Sequence, residues 1–267
     1  LNNHSIVIWT TTPWTIPGNR ALAVHNEIKY VSLNIRRENS NEDIIIAEGL
    51  VDNFLKENKI LESNVNFSLT GNELLNTSCY HTLFKSGYDF IVPILHGDFV
   101  TTEQGTGIVH ICPVHGMDDF ILGKQHNLEL PMTIDEGGIY YEHIPVFAGK
   151  HIFKVDPEVC DEIEKCDNLI SKGQLIHSYP HSWRSKAPLV YKNTSQWFIS
   201  METNDLRKKA LKAINETNFF PQQGQNRLKK MIEDRPDWCV SRQRVWGVPL
   251  PIFVNKKSGE PLRDPKV

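Results

Sequence analysis

The segment Trp9–Asn19, with the sequence WTTTPWTIPGN, decides what can be expected of this chain's fold and chemistry. An apolar strand, Ile6–Thr11, runs into it and must end there, because Pro13 and Pro17 fix φ and lack a backbone donor. The loop that results carries hydroxyl and amide groups, on Thr10, Thr11, Thr12 and Asn19. Such groups both donate and accept hydrogen bonds, which suits a ligand with an amine, ribose hydroxyls and an ester carbonyl. The alternative is a Thr-rich edge strand followed by an ordinary turn.

A second segment, Gly105–Phe120, has the sequence GTGIVHICPVHGMDDF. Together the two segments resemble the editing (CP1) domain of the class I isoleucyl-tRNA synthetases. The family patterns match at Trp9–Thr15, Asn19, Gly105–His110 and His115–Asp119. Related valyl and leucyl enzymes carry an Arg-Pro-acidic triplet where this chain has Pro-Trp-Thr, which favours the isoleucyl family.

A third segment, Arg235–Gly247, resembles the place where the editing insertion returns to the catalytic domain of the synthetase. The resemblance therefore spans nearly the whole chain. The HIGH-like and KMSKS-like motifs of amino-acid activation are absent from this sequence. We expect no aminoacylation from these residues, and the chain is expected to be an excised piece of a longer protein.

The resemblance implies an aminoacyl-tRNA deacylase that hydrolyses the ester of valine mischarged onto the 3′ end of tRNA(Ile), with pre-transfer editing as a second route. It implies no cofactor for editing, and ATP and Mg for the full-length isoleucine-tRNA ligase only. Three alternatives stay open: a tRNA-docking module without hydrolysis, a valyl-tRNA synthetase editing domain, and a metal-dependent hydrolase that uses His110, His115 and Asp119.

Site residues follow from the resemblance, position by position. The expected catalytic residues are Thr11, Thr12, Asn19 and Asp119. The expected substrate-binding residues are Trp9, Thr10, Thr11, Thr12, Gly105, Thr106, His110 and Asp119. Asp119 would bind the ammonium group of the substrate and His110 would close the pocket against the longer side chain of isoleucine. Their structural alternatives are a carboxylate at a helix N-terminus and a core histidine with both nitrogens hydrogen-bonded.

Two other motifs in the second segment are weak. The pair Gly105 and Gly107 lacks the third glycine of a dinucleotide-binding fingerprint, so these glycines are expected to allow close approach of a ligand or a neighbouring segment. The group of His110, Cys112, His115 and the two aspartates matches no zinc spacing. We expect no metal here. A zinc site near His181 is doubtful because Ser182 and Ser185 stand where some relatives carry cysteines.

Charge is unevenly distributed along the 267 residues, although the net charge is only −3. Residues 1–180 carry 24 acidic and 12 basic side chains, whereas residues 181–267 carry 8 and 17. The basic part could face a phosphate backbone or could simply form solvated helix faces.

The five cysteines show no disulfide pattern, and no membrane span or signal peptide is visible. A cytoplasmic, monomeric protein is expected.

Hydrophobic periodicity predicts an α+β fold with a closed or highly curved sheet. The resemblance implies a β-barrel-like editing domain with peripheral helices over residues 1–179, and then a smaller helix-rich connecting segment over 180–267. Short strands are expected at Ile6–Thr11, Ala21–His25, Lys29–Ile35, Ile44–Ala47, Val65–Leu69, Phe90–Leu95 and Ile108–Ile111. Helices are expected at Glu48–Glu57, Asp118–His126, Pro157–Lys172, Asn204–Asn215 and Gly224–Arg235. Leu189–Ser200 is expected to form one strand or two.

Overall fold

The computed structural model describes residues 3–37, 40–242, 247–256, 258–264 and 266. Four positions of the third motif, 243–246, lie outside these residues. The chain divides into two compact units, Leu1–Asn193 and Thr194–Val267. Residues 180–193, which the sequence assigns to the connecting segment, belong to unit 1 in this division. They bond to its second motif: Asn193 N–H donates to Val114 O at 2.8 Å and His115 Nδ1 donates to Tyr191 O at 2.8 Å. The functional division at residue 179 remains a prediction.

The described residues of unit 1 form eight strands in two mixed four-stranded sheets. The strands are β1 (His4–Ile6), β2 (Ala21–Val24), β3 (Lys29–Arg37), β4 (Ser40–Ala47), β5 (Ser63–Thr70), β6 (Ser78–Tyr80), β7 (Ile91–His96) and β8 (Val109–Ile111). The first sheet has the order β1-β4-β3-β5 and the second β6-β7-β2-β8. Strands β1 and β4 are parallel, as are β2 and β7, and the other pairs are antiparallel.

The two sheets share one hydrophobic core. Buried side chains from both sheets meet in it, among them Leu22, Tyr30, Ile45 and Ile94. The Tyr30 hydroxyl donates to Gly107 O at 2.9 Å, so the core also holds the glycine-rich segment in place. Burial raises the pKa of Tyr30 to about 12.

The expected barrel is wrong in one respect: within the described residues the sheets stay open and no ladder closes them into a barrel. The physical reason lies in the opening motif. Strand β1 ends at Ile6, and Pro13 starts a buried 3₁₀ segment, Pro13–Gly18, after which the chain enters the other sheet at Ala21. Strand β1 has already ended at Ile6, and a segment with two prolines cannot resume its ladder, so the chain passes into the second sheet instead. The coarser prediction of a mixed α+β fold is correct.

Four α-helices of unit 1 are α1 (Val51–Glu57), α2 (Gly71–Leu74), α3 (Met117–Gln125) and α4 (Ile152–Lys165). Helix α4 begins five residues before the predicted start at Pro157, because His151 caps it by accepting from Phe153 N at 3.2 Å. It ends at Lys165, short of the predicted Lys172, where Asp167 adopts a left-handed φ of 63° that a helix cannot continue.

In unit 2, where the structure describes it, there are two short strands, β9 (Phe198–Ile199) and β10 (Trp238–Cys239), and two α-helices, α5 (Leu206–Glu216) and α6 (Gln223–Glu233). Both helices lie close to their predicted positions. Arg207 of α5 donates to Ile232 O and Arg235 O at 2.6 and 2.7 Å, which satisfies carbonyls at the end of α6. Across the described residues of both units, the helices are too short or too polar to span a membrane.

Candidate functional site

The three threonines form a tight bend before the 3₁₀ segment. Thr10 Oγ1 accepts the Thr12 N–H at 3.0 Å and lies 3.3 Å from Thr12 Oγ1, whereas Thr11 is exposed. Pro13 occupies the first position of the 3₁₀ segment, where its missing N–H costs nothing. The hydroxyls are therefore displayed on a bend that local bonds and two prolines hold in one shape.

Thr15 fastens this bend to the segment that follows. Its N–H and its hydroxyl both donate to Thr12 O, at 3.0 and 2.8 Å. Residues 14–18 are all buried. Thr15 belongs to the motif but was not among the predicted site residues. Its position three residues after Thr12, in a turn that starts with proline, was the available signal.

His110 connects the two motifs. Its Nε2 lies 3.0 Å from Thr15 Oγ1 and its Nδ1 lies 3.2 Å from Asn19 Nδ2. Because an amide nitrogen only donates, Nδ1 accepts from Asn19; because the Thr15 hydrogen goes to Thr12 O, Nε2–H donates to Thr15. The series runs in one direction, from Asn19 through His110 and Thr15 to Thr12, and it requires a neutral imidazole.

The surroundings of His110 favour that neutral form. Burial, with a smaller contribution from His115, lowers the pKa of His110 to about 4. The other amide hydrogen of Asn19 goes to Ala21 O at 3.1 Å, and Asn19 is 6% exposed. Asn19 therefore binds His110 and the backbone and holds the histidine ring.

Strand pairing explains how motifs so far apart in sequence meet. Strand β8 pairs antiparallel with β2, which follows the 3₁₀ segment directly, and this register sets His110 opposite Leu22. Arg20 N–H extends the ladder by donating to Ile111 O at 2.8 Å. Gly18 also lies against the Cys112 thiol, so closely that an added Cβ would be 2.5 Å from Sγ.

Asp119 and Asp118 stand in the first turn of α3 but face different surroundings. Asp119 Oδ1 accepts the Cys112 N–H at 2.7 Å and Oδ2 lies against Gly116, whereas Asp118 is exposed. Burial raises the pKa of Asp119, and the bond from Cys112 opposes that rise. Asp119 thus ties the start of α3 to the end of the strand that carries His110.

The glycine-rich segment is shaped by its neighbours. Gly105 has φ +75° and faces the Trp9 ring, and Gly107 has φ +72° and would place a Cβ 2.4 Å from the Ala47 Cβ. Trp9 is 45% exposed. The buried Thr106 directs its hydroxyl to Ile108 O at 3.3 Å. The contact with Ala47 fits the expectation that a glycine here allows close approach of a neighbouring segment.

The loose cluster of possible metal ligands is engaged in other contacts. His115 Nδ1 donates to Tyr191 O, and its Nε2 accepts from Thr133 at 2.6 Å. Over the part of the chain that the structure describes, no three His, Cys, Asp or Glu side chains come together as a metal site would need. The threonine bend, His110 and Asp119 are each held in place by hydrogen bonds to other protein groups.

Comparison with known proteins gives a consistent result. The family of tRNA synthetases class I (I, L, M and V) matches residues 10–265. The chain is 50% identical over 269 residues to the isoleucine–tRNA ligase of Pelagibacter ubique strain HTCC1062, and 46% identical over 285 residues to that of Gluconobacter oxydans strain 621H. Each alignment covers 100% of this chain and 30% of the relative, so the chain spans about 30% of the length of these relatives.

A solved structure, GlLeuRS-CP1, is similar in fold. The two agree with a TM-score of 0.50 at 16% sequence identity, over 65% of this chain and 87% of that one. At this identity the likeness concerns the fold alone.

Proposed function

The chain belongs to the class I tRNA synthetases, and from this membership we propose that it hydrolyses the ester bond between valine and the 3′ end of mischarged tRNA(Ile). The resemblance to isoleucyl-tRNA synthetases that the motifs indicate is confirmed by the two relatives. The observation that best supports the activity is the directed series of hydrogen bonds from Asn19 to Thr12, which joins the two motifs.

The chemical need for such an activity is plain. A pocket that accepts isoleucine discriminates only weakly against valine, because one methylene is worth about 1–3 kcal/mol of binding free energy. Isoleucine and valine at an isoleucyl-tRNA synthetase are the reference case for this value. A second pocket that admits valine and excludes isoleucine corrects the error by hydrolysis.

Asp119 is the proposed partner of the substrate's ammonium group. It is the acidic residue of the pair that turns towards the end of β8, where Cys112 N–H fixes its position. The hydroxyls of Thr10, Thr11 and Thr12 would bind the ester, the ribose hydroxyls and the attacking water. Trp9, Gly105 and Thr106 would complete the surface. Thr106 is 4% exposed, its hydroxyl bonds to Ile108 O and its carbonyl accepts from Ala47 N, so it would act by shaping the glycine-rich segment.

His110 is proposed as a wall of the pocket. Both ring nitrogens bind protein groups and the pKa is about 4, so the ring is poorly placed to take a proton from water at neutral pH. Positioning of water beside the substrate's own ribose hydroxyl is the more economical mechanism. The water oxygen bonds to the ester carbon, the bond to the ribose oxygen breaks, and that oxygen takes the proton, giving valine and uncharged tRNA.

For the full-length protein we propose ligation of isoleucine to tRNA(Ile) with ATP and Mg, in a monomeric, cytoplasmic enzyme. The chain itself is proposed to edit without a cofactor. These points rest on the family and on relatives three times longer than this chain.

The test uses the purified 267-residue chain in excess over valyl-tRNA(Ile) and isoleucyl-tRNA(Ile). We expect release of valine, much slower release of isoleucine, and no ATP–pyrophosphate exchange. A chain with Asp119→Ala, purified in the same way, reveals any contaminating host synthetase, since contamination would give equal release in both samples.

Further arms separate the alternatives. Binding of tRNA without release of valine would favour the docking module. Preferential release of threonine from threonyl-tRNA(Val) would favour valyl-type editing. Loss of activity with a chelator, restored by added zinc, would favour the metal-dependent hydrolase.

A further inference from the structure

We propose that Asp156, on helix α4, is a positioning residue for editing: its carboxylate holds the peptide N–H of Trp14 and so fixes the direction in which the threonine bend leaves the core. This inference rests on the proposed function, because its effect is on hydrolysis at that bend. Asp156 lies outside all three motifs, and nothing in the sequence pattern sets it apart from the other acidic residues of α4.

The contact itself is direct. Asp156 Oδ1 accepts the Trp14 N–H at 3.0 Å. The first N–H groups of a helical segment have no partner within it, and Pro13 has no N–H, so Trp14 carries the first donor that must be satisfied from outside. Trp14 is 6% exposed, which leaves little room for water to replace the carboxylate.

A second side chain holds the other side of the same residue. The Tyr140 hydroxyl donates to Trp14 O, and Tyr140 is 2% exposed. Next along the segment, His81 Nε2 donates to Ile16 O at 3.0 Å. Three buried or half-buried side chains, from three separate parts of the chain, therefore bond to the backbone of the 3₁₀ segment.

Helix α4 also supplies the apolar surface on which the segment rests. Trp14 and Ile16 share a core cluster with Ile152, Val155 and Val159. Asp156 lies within this surface, and burial raises its pKa while the Trp14 N–H lowers it. The exposed Asp161 and Glu164 on the same helix instead pair with Lys172. Asp156 thus faces the 3₁₀ segment while its acidic neighbours face solvent.

The connection from Asp156 to the site is short. Trp14 lies between Thr12 and Thr15 in sequence, and Thr15 bonds to Thr12 O with both its N–H and its hydroxyl. A shift of the Trp14 peptide therefore moves Thr15 and the Thr12 carbonyl together, and Thr15 is the hydrogen-bond partner of His110. Misplacement of reacting groups by about 1 Å can reduce a rate by about 100-fold.

The experiment compares variants of the 267-residue chain on valyl-tRNA(Ile). In Asp156→Ala we expect kcat for valine release to fall by about 10- to 100-fold, with KM little changed because Asp156 does not touch the substrate. Asp156→Asn keeps an oxygen acceptor and should restore most of kcat. Asp161→Ala is the matched control on the same helix and should behave as the parent chain. Hydrogen exchange at the Trp14 amide should accelerate in Asp156→Ala and stay slow in Asp156→Asn.

Unchanged kcat in Asp156→Ala, or equal loss in Asp156→Ala and Asp156→Asn at full folding, would overturn the inference. If Asp156→Ala does not fold, Tyr140→Phe decides, because it removes only the hydroxyl on Trp14 O: a lowered kcat with unchanged KM supports the inference and an unchanged kcat rejects it. Absence of valine release by the parent chain would instead reject the proposed function, so the two failures are distinguishable.

Discussion

At the scale of single residues, the neighbours Asp118 and Asp119 differ in where their side chains point, and this difference determines what each carboxylate can bind. Both belong to the first turn of α3, where a carboxylate is favoured by the helix dipole. Asp119 accepts the Cys112 N–H and is half-buried, whereas Asp118 points to solvent. Sequence alone suggested Asp119 through the family motif, but its bond to Cys112 depends on where β8 ends.

We predict that Asp119→Ala removes most deacylation while Asp118→Ala retains it. Loss of a charge-assisted bond to the ammonium group costs about 1.5–3 kcal/mol, or roughly 10- to 150-fold in rate. Asp119→Asn keeps an acceptor for Cys112 and separates charge from structure. The measurement is valine release together with thermal unfolding. Equal loss in both alanine variants would assign the effect to the helix end.

We predict that His110→Ala lowers selectivity more than activity. Removal of the ring opens the wall, so isoleucyl-tRNA(Ile) should become a substrate while Asp119 still binds the ammonium group. Stability should also fall, by about 1–3 kcal/mol, because Asn19 and Thr15 lose their buried partner.

The matched control for this prediction is His115→Ala. That ring also makes two hydrogen bonds, to Tyr191 and Thr133, and packs edge-to-face on Trp14 at 4.8 Å between ring centroids, but it bonds to no member of the series that holds Thr12. It should lose stability with an unchanged preference for valine over isoleucine. Unchanged preference in His110→Ala as well would make His110 a core histidine and leave the threonine bend as the gate.

At the scale of elements, the 3₁₀ segment Pro13–Gly18 carries most of what the sequence could not show. The prolines predicted a turn, and the structure has one as the 3₁₀ segment, but the predicted strand Ile6–Thr11 is wrong because β1 spans His4–Ile6 and ends well before Pro13. The partners of the segment come from His81, His110, Tyr140 and Asp156, whose separation in sequence hides them from any local pattern. The prolines of the segment predict the turn, whereas the side chains that bond to it are brought there only by the fold.

Two neutral histidines in this region predict how stability depends on pH. Burial lowers the pKa of His81 to about 4, with smaller effects from Arg20 and His110. His81 Nδ1 accepts from Leu83 N at 3.0 Å, a bond that protonation would abolish. Between pH 6.5 and 4 the unfolded chain binds the additional proton, so the free energy of unfolding falls as pH falls.

We expect His81 to contribute up to about 3 kcal/mol to this loss, complete once the pH is below about 4. Urea unfolding at several pH values gives the slope. His81→Asn should flatten it. A slope that does not respond to His81→Asn would show that other groups cause the pH dependence.

The glycine-rich segment gives a prediction about packing between elements. Gly107→Ala should destabilise the chain by about 2–4 kcal/mol, because a side chain is strained at φ +72° and would collide with Ala47. Gly49→Ala, at a site with nothing within 4 Å, should be neutral or slightly stabilising. Urea unfolding compares the two. Similar stability of both variants would show that the Ala47 contact yields easily.

At the scale of the whole molecule, the sequence predicted most strand positions but not sheet closure, and it misplaced β1 and missed β6. Alternation and turn residues locate β2, β3, β4, β5 and β7, since each strand carries its own pattern. Closure depends on pairing between edge strands far apart in sequence, for which no local pattern exists. The motifs, by contrast, contain residues that meet in the fold, since Asn19 and His110 bond to each other across a sequence separation of 91.

Charge is the other property of the whole chain, and it leads to the last prediction. The basic excess of residues 181–267 includes exposed side chains on α6, such as Arg227 and Lys230. If they face the phosphates of tRNA, each contact contributes about 0.7–0.9 to the slope of log affinity against log salt. Arg227→Glu with Lys230→Glu should weaken tRNA binding and reduce that slope by about 1–2.

The same charge change made in unit 1, Lys56→Glu with Lys154→Glu, is the control, since both lysines are exposed and lie in the acidic part of the chain. Binding of tRNA is measured by filter retention at several potassium chloride concentrations. Both double variants change the net charge equally, so a general electrostatic effect would shift them alike. Only a local contact between α6 and tRNA would change the slope of log affinity against log salt in the α6 variant and not in the unit 1 variant. Equal slopes in the two variants would mean that these helix faces are simply solvated.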